Sequence, residues 1–221
     1  MTNRSPILPP AWLGILGGGQ LGRMFIHEAQ SLGYKVCVLD PDSLSPGGAV
    51  AEKHLCADYG DEKALSEMAK LCAAVSTEFE NVPAKTLDYF QDKGIFVAPM
   101  GQCVSIAQDR VLEKEFLQQC ASSSGIGPVP YCVIQSQNDL TTVPGHFFPG
   151  ILKTARMGYD GKGQTNVANT NELALAWQEF GGDVCVFEKK MPLAFEVSAL
   201  VVRADDGEST AYPIAENIHR N

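Results

Sequence analysis

Residues 12–22 read WLGILGGGQLG, a short apolar run that ends in a glycine-rich loop. Glycines can adopt positive φ and let a ligand approach the backbone closely. Apolar residues then recur at helical spacing until Gly33, which ends the predicted helix. The first turn of such a helix directs free N–H groups and the positive end of its dipole at an anion. The stretch therefore predicts a phosphate site, with a tight turn that packs helix on strand as the alternative.

Strands and helices alternate as far as residue 121. The predicted strands are 12–16, 35–39, 73–77 and 95–98, and the predicted helices are 20–32, 61–71, 84–93, 104–108 and 110–121. This alternation indicates a parallel sheet covered on both faces. A linker rich in Ser, Gly and Pro follows at 122–130. The next predicted elements are strands 131–134, 150–154 and 165–167, helix 171–180, and strands 184–189 and 195–203, an order typical of a largely antiparallel α+β fold.

The composition excludes several classes of protein. The chain has 221 residues, of which 45% are hydrophobic and 19% charged, as expected for a globular protein with a core. The net charge of −9 argues against nucleic-acid binding, which needs a basic face. No apolar stretch is long enough to predict a membrane span. The seven cysteines are spread out without a C-x-x-C pair, so we expect core packing in a reducing cytosol rather than zinc or disulfides.

A second glycine-rich loop, residues 158–164, reads GYDGKGQ and lies between two predicted strands. Three glycines would let it fold over a triphosphate, and lysines would supply positive charge to the phosphate oxygens. Lys153 ends an otherwise apolar strand just before the loop, which favours this interpretation over a hairpin loop with solvated lysines.

The predicted strand that begins at 184 runs into two carboxylates, which we place on a strand edge and the connector after it. Residues 188–191 read EKKM, and Glu196 comes five residues later. Backbone groups in a connector of this kind could pair with an adenine edge, and a carboxylate could bind ribose hydroxyls. A solvated charged turn is the alternative.

Two further acidic sites lie at the ends of predicted parallel strands. Residues 77–81 read TEFEN, and open α/β sheets place ligands at the carboxyl ends of their strands. Glu78 and Glu80 could hold an amine-bearing substrate there, or the segment could be a helix entry capped by Asn81. Asp40 stands where a dinucleotide-binding fold has its ribose-binding carboxylate, although it could simply begin the turn at Pro41.

In this order, the motifs resemble those of ATP-grasp enzymes, and within them the 5-(carboxyamino)imidazole ribonucleotide synthetase family. The segments that carry the resemblance are GGGQLGRM at 17–24, TEFENV at 77–82, QDR at 108–110, GYDGKGQ at 158–164 and PIAENIH at 213–219. The resemblance implies an α/β fold: a Rossmann-like parallel-sheet substrate domain at 1–108, followed by an α+β ATP-grasp domain. Within the latter, 109–192 would be the small lobe with a linker helix, and 193–221 the start of an incomplete large lobe.

The resemblance also implies a reaction. The family is a group of ADP-forming carbon–nitrogen ligases that carboxylate 5-aminoimidazole ribonucleotide with bicarbonate and ATP, through carboxyphosphate, in purine (IMP) biosynthesis. Phosphorylation gives bicarbonate a leaving group, and a closing lid keeps water from the short-lived intermediate. A cytoplasmic homodimer that uses magnesium, and binds neither nucleic acid nor membrane, is implied for the full-length protein.

The resemblance assigns residues to each ligand. The implied ATP contacts are Arg110, Lys153, Gly158, Tyr159, Asp160, Gly161, Lys162, Gly163, Gln164, Glu188, Lys189, Lys190, Met191, Glu196 and His219. Residues 158–164 would form the lid, 188–191 would hold the adenine, and Glu196 the ribose. The implied contacts of the aminoimidazole ribonucleotide are Gly18, Gly19, Gln20, Leu21 and Glu78. Tyr159 and Lys162 would be catalytic; many relatives have arginine where Lys162 stands, and lysine keeps the charge but loses the bidentate geometry.

The family's magnesium ligands lie in a later segment, so we expect no metal ligands in this chain and place them beyond Asn221. The chain then resembles a C-terminally truncated member, and we predict that these 221 residues alone are inactive or nearly so. A bicarbonate-dependent ATPase assay checks this, and turnover near that of a full-length relative would contradict it.

Three alternatives stay open. A formate-dependent glycinamide ribonucleotide transformylase has a similar fold, but its first loop usually carries glutamate where Gln20 stands. An NAD-dependent oxidoreductase would use the first loop and Asp40, but it leaves Lys153 and the second loop unexplained. A nucleotide-binding fragment or regulatory pseudo-enzyme would need no metal segment.

Overall fold

The structure is a computed structural model that describes residues 5–156, 158, 163–204 and 206–218. Residues 7–189 form one compact unit, and a second contains residues 5–6 and the described part of 190–221. The first unit holds two separate sheets.

The first sheet is five-stranded and parallel. Its strands are β1 (Trp12–Leu16), β2 (Lys35–Leu39), β3 (Lys53–Leu55), β4 (Ala74–Thr77) and β5 (Phe96–Val97), in the order β3-β2-β1-β4-β5. The associated helices are α1 (Gln20–Ser31), α2 (Glu62–Leu71), α3 (Ala84–Asp92) and α4 (Gly101–Ala107). Successive strand residues enter different apolar clusters: Ile15 packs in one with Ile26, and Leu16 in another with Phe90. Both faces are therefore buried, and the predicted Rossmann-like sheet is confirmed.

Helix α5 (Arg110–Ser124) leads to a four-stranded antiparallel sheet. Its strands are β6 (Tyr131–Ile134), β7 (Gly150–Thr154), β8 (Gln164–Val167) and β9 (Cys185–Lys189), in the order β6-β9-β7-β8. The connecting elements are α6 (Gln137–Thr142), a 3-10 turn (Gly145–Phe147) and α7 (Thr170–Glu179). One face of this sheet packs against the helices through Leu152, Leu173 and Phe187, so the predicted α+β character is confirmed.

The second unit contains two short pairs of antiparallel strands. Strand β10 (Glu196–Ser198) pairs with β13 (Ala215–Asn217), and β11 (Val201–Arg203) pairs with β12 (Ser209–Ala211). The single strand predicted at 195–203 is therefore wrong. Its two halves are separated at 199–200 because they pair with different partners.

The predicted linker begins too early. Helix α5 continues to Ser124 and ends at Gly125, whose φ of 71° is left-handed and whose N–H donates to the carbonyl of Ala121. The connecting segment is thus 125–130. The boundaries proposed for the front domain and the two lobes stay predictions.

All seven cysteines are free, in agreement with the absence of a disulfide pattern. The expectation of core packing is confirmed for Cys37, Cys72 and Cys185, which are buried, and for Cys132, which packs against the apolar core of the second sheet. It is wrong for Cys56 and Cys103, which are exposed, and Cys120 is partly exposed. Within the described residues, no helix is long and apolar enough to cross a bilayer.

Candidate functional site

The strand order of the parallel sheet creates a crevice between β1 and β4. From β1 the chain builds outward through β2 and β3 on one side, and then through β4 and β5 on the other. Ligands of open α/β sheets bind outside the carboxyl ends of the strands at such a reversal. The first glycine loop follows β1, and segment 77–81 follows β4. The fold therefore brings together the two segments predicted to bind the ribonucleotide.

A hydrogen bond joins these segments directly. The backbone N–H of Gly19 donates to Oε1 of Glu78 over 2.7 Å. A Cβ added at Gly19 would lie 2.8 Å from the same oxygen. A larger residue at position 19 would therefore displace the end of the Glu78 side chain, and the hydrogen bond ties the two loops together.

Asp40 holds the loop from the other side. Its buried carboxylate accepts from the N–H of Gly18 (2.7 Å), the N–H of Asp42 (2.8 Å) and the hydroxyl of Tyr59 (3.2 Å). Burial, and then the negative charge of Asp40, raise the pKa of the Tyr59 hydroxyl, which stays a donor. Asp40 is therefore engaged inside the protein as a strand-end residue that fixes the loop, which removes the main argument for a dinucleotide site.

These contacts refine the predicted phosphate site. Two of the loop's donors, on Gly18 and Gly19, already face carboxylates. Gln20 and Leu21 are the first residues of α1, where N–H groups have no intrahelical acceptor. The start of α1 is thus the part of the loop best suited to an anion.

A cleft of about 320 Å³ lies beside this crevice. It is lined by segment 77–81, by α4 and the start of α5, and by Gly158. Its volume falls in the range of small-molecule pockets, roughly 300–1,000 Å³. Glu78 and Arg110 both line this cleft, although Glu78 was predicted to bind the ribonucleotide and Arg110 to bind ATP.

Residues 108–110, the QDR segment, contact the residues at the beginning of the second glycine loop. Asp109 caps α5 by accepting from the N–H of Val111, and it pairs with Nε of Arg156, both over 3.0 Å. The N–H of Arg110 donates to the carbonyl of Ala155 (2.9 Å), and its Nη2 donates to the carbonyl of Gly158 (3.3 Å). The guanidinium of Arg110 therefore lies at the beginning of the second glycine loop, and its contact with ATP phosphates stays a prediction.

A buried carboxylate lies between two lysines on the antiparallel sheet. Oε2 of Glu188 is 2.7 Å from Nζ of Lys153, and Oε1 is 2.8 Å from Nζ of Lys114. Burial opposes ionisation of Glu188, but the hydrogen bonds from both lysines outweigh it and hold the pKa of the carboxyl below its ordinary value. Glu188 belongs to β9, an interior strand, so its assignment to a strand edge or a solvated turn is wrong.

The remaining predicted residues fall into three groups. Those outside the described part of the chain are Tyr159, Asp160, Gly161, Lys162 and His219. Gly163 closes the β7–β8 hairpin, with its carbonyl accepting from the N–H of Thr154, and Gln164 begins β8. Lys189 ends β9, whereas Lys190, Met191 and Glu196 belong to the second unit, where Oε1 of Glu196 accepts from Nδ2 of Asn217 (2.9 Å).

Lys114 is the residue that sequence reasoning missed. It stands one helical turn after Arg110, and residues at this spacing lie on one face of a helix. The four-residue spacing from Arg110 is the feature of the sequence that could have pointed to Lys114. Among the described residues, no group of three or more His, Cys, Asp or Glu side chains could hold a metal ion.

The chain is similar to known proteins over nearly its whole length. Residues 11–108 match the ribonucleotide synthetase preATP-grasp domain, and residues 119–221 match the ATP-grasp domain. N5-carboxyaminoimidazole ribonucleotide synthase from Staphylococcus aureus strain COL is 38% identical over 213 residues, which cover 96% of this chain and 55% of that protein. The synthase of that name from Bacillus subtilis strain 168 is 36% identical over 217 residues, 97% of this chain and 56% of that protein.

A solved structure of a synthetase with a similar name has the same fold along nearly the whole of this chain. N5-carboxyaminoimidazole synthetase from Staphylococcus aureus, complexed with ADP, superposes with a TM-score of 0.89 at 36% identity, covering 99% of this chain and 57% of that chain. This chain thus spans about half the length of the curated relatives that it matches. The fold, the order of the motifs and these relatives agree, and the chain belongs to the N5-carboxyaminoimidazole ribonucleotide synthetase family of ATP-grasp proteins.

Proposed function

We propose that this chain serves the ATP-dependent carboxylation of 5-aminoimidazole ribonucleotide by bicarbonate. The observation that most supports this is that a chain of this family has two separate places suited to an anion. One is the start of α1 beside Glu78, and the other is formed by Arg110 and Lys153 near the second glycine loop. A ribonucleotide and ATP need separate sites of this kind.

The chemistry proceeds in two steps. A bicarbonate oxygen attacks the γ-phosphorus of ATP, the bond to ADP breaks, and carboxyphosphate forms. The amine nitrogen of the ribonucleotide then attacks the carboxyl carbon, or the CO2 that carboxyphosphate releases; phosphate departs and the nitrogen loses a proton. In phosphoryl transfer the protein acts chiefly by positioning and by charge. Arg110 and Lys153 would supply positive charge to the ATP phosphates, and Glu78 would orient the amine.

Other partners of this reaction are part of the same proposal. Magnesium would be expected with ATP, but the described residues do not offer a ligand set for it, and we derive no step through the metal. The roles of Tyr159 and Lys162, a homodimeric full-length protein and a cytoplasmic location stay predictions.

Ligand binding tests the proposal in the chain itself. At about 100 times its Kd, a ligand stabilises the folded state by roughly 2.7 kcal/mol, which raises the Tm of a chain of this size by about 5–10 °C. We expect shifts of this order, in separate thermal-unfolding experiments, from ADP and from 5-aminoimidazole ribonucleotide, with none from NAD.

Two comparison ligands make this test selective. Stabilisation by NAD alone would favour an oxidoreductase and overturn the proposal. Stabilisation by glycinamide ribonucleotide in place of the aminoimidazole compound would instead indicate the transformylase.

A further inference from the structure

Lys114 is an interior lysine without a role in the function proposed above. Its side chain is 13% exposed, although it lies on α5, a helix with no fully buried residue. A lysine withdrawn from water in this way needs a charged partner, because burial of an isolated ammonium is strongly unfavourable. Its partner is Oε1 of Glu188.

The register of the sheet explains how Glu188 comes to serve two lysines. Glu188 in β9 is opposite Ile151 in β7, and Lys153 is two residues further along β7 on the same face. This face is opposite the one on which Phe187 packs in the apolar core. Lys153 approaches Glu188 within the sheet, and Lys114 approaches it from α5.

The charges of this cluster, Lys114, Glu188 and Lys153, sum to +1. An ammonium group has three donors, so Lys153 can bind Glu188 through one and still offer the others to a phosphate. Without Lys114, the full charge of the carboxylate would act on Lys153 alone, and the cluster would become neutral. Coulombic attraction to a phosphate in this partly buried setting would then fall.

We propose that Lys114 is a positioning residue of the nucleotide site: it occupies one oxygen of Glu188 and so leaves Lys153 positively charged and available to the phosphates. This inference rests on the proposed function, since it concerns the same ATP site. Arg110 lies on the same face of α5 and contacts the second glycine loop through Gly158, so one helix face would serve both ends of the phosphate site.

The experiment measures the Kd for ADP by calorimetry, at one ionic strength, with the 221-residue chain. Lys114→Met should weaken binding on the order of tenfold, because one of the positive charges acting on the phosphates is lost. Lys114→Arg keeps the charge and should stay within about threefold of the unaltered chain. Lys85→Met removes an exposed lysine of α3 and is the matched control, with no expected change.

A double variant separates positioning from simple support of the fold. Adding Glu188→Gln to Lys114→Met removes the negative charge and returns the cluster to +1. It keeps the backbone groups of 188–191 that would pair with the adenine, so ADP affinity should recover to within about threefold. A purely structural role for Lys114 predicts no recovery. Recovery together with weakened binding in the single variant supports the inference.

The same ADP titrations distinguish failure of this inference from failure of the proposed function. If the unaltered chain does not bind ADP, both the proposed function and this inference are overturned. If it binds ADP and folded Lys114→Met binds equally well, or the double variant shows no recovery, only this inference is overturned. Circular dichroism of each variant shows whether it is folded.

Discussion

Replacing Asp40 with alanine should destabilise the chain by about 2–4 kcal/mol, because the buried carboxylate accepts three hydrogen bonds and two of them come from backbone N–H groups. Its removal leaves the donors of Gly18 and Asp42 without this acceptor. The first loop should also lose its fixed conformation, so affinity for 5-aminoimidazole ribonucleotide should fall. Urea denaturation gives the free energy of unfolding, and calorimetry gives the affinity.

Asp92→Ala is the control for the loss of one negative charge. Asp92 is exposed at the end of α3, and its replacement should change the free energy of unfolding by no more than about 0.5 kcal/mol. Equal stability of the Asp40 and Asp92 variants would contradict the role that we assign to Asp40. Stabilisation of the unaltered chain by NAD would return Asp40 to the ribose-binding role.

Gly22→Ala should also be strongly destabilising, although alanine is the better helix former by about 1 kcal/mol. Gly22 is buried in the first turn of α1, and a Cβ there would lie 2.5 Å from the carbonyl oxygen of Gly17 and 3.2 Å from Cγ of Glu78. The first obstacle is backbone, so relief requires α1 to move away from the loop. We expect a loss of about 3 kcal/mol or more in the free energy of unfolding, measured by urea denaturation.

Gly60→Ala provides the matched control. Among the described residues other than its chain neighbours, none has an atom within 4 Å of a Cβ built at Gly60, and Gly60 is exposed. The same substitution there should be neutral, or stabilising by up to about 1 kcal/mol through the unfolded state. If Gly22→Ala were as stable as Gly60→Ala, the close packing of the loop against α1 would not be what requires glycine.

The sequence predicted those parts of the fold in which apolar periodicity is strong. The main strands of the parallel sheet alternate with amphipathic helices, and Asp61 caps α2 by accepting from the N–H of Ala64. Strand β3 and helix α6 were missed because they are short and largely polar: β3 has one apolar residue in three, and Leu140 is the one apolar side chain of α6. For α6 a local signal existed, since Ser136 and Asp139 form a capping box.

The site was predictable in its motifs but not in its internal contacts. Glycine spacing located the loops, and strand ends located Glu78. Whether a carboxylate faces a ligand or the protein depends on residues distant in sequence, as with Asp40 and Gly18, which are 22 positions apart. The pairing of Lys114 with Glu188 depends on how α5 lies on β9, and no local pattern contains that geometry.

The register that places Glu188 beside Lys153 also has a consequence for folding. Side chains alternate between the faces of a sheet, so a slip of β9 by one residue would exchange its two faces. Glu188 would then enter the apolar core in place of Phe187, away from both lysines. The carboxylate thus discriminates against misregistered pairing of β9 with its neighbours. Neutralising Glu188 should therefore lower the yield of correctly refolded protein, even where the native state tolerates the change.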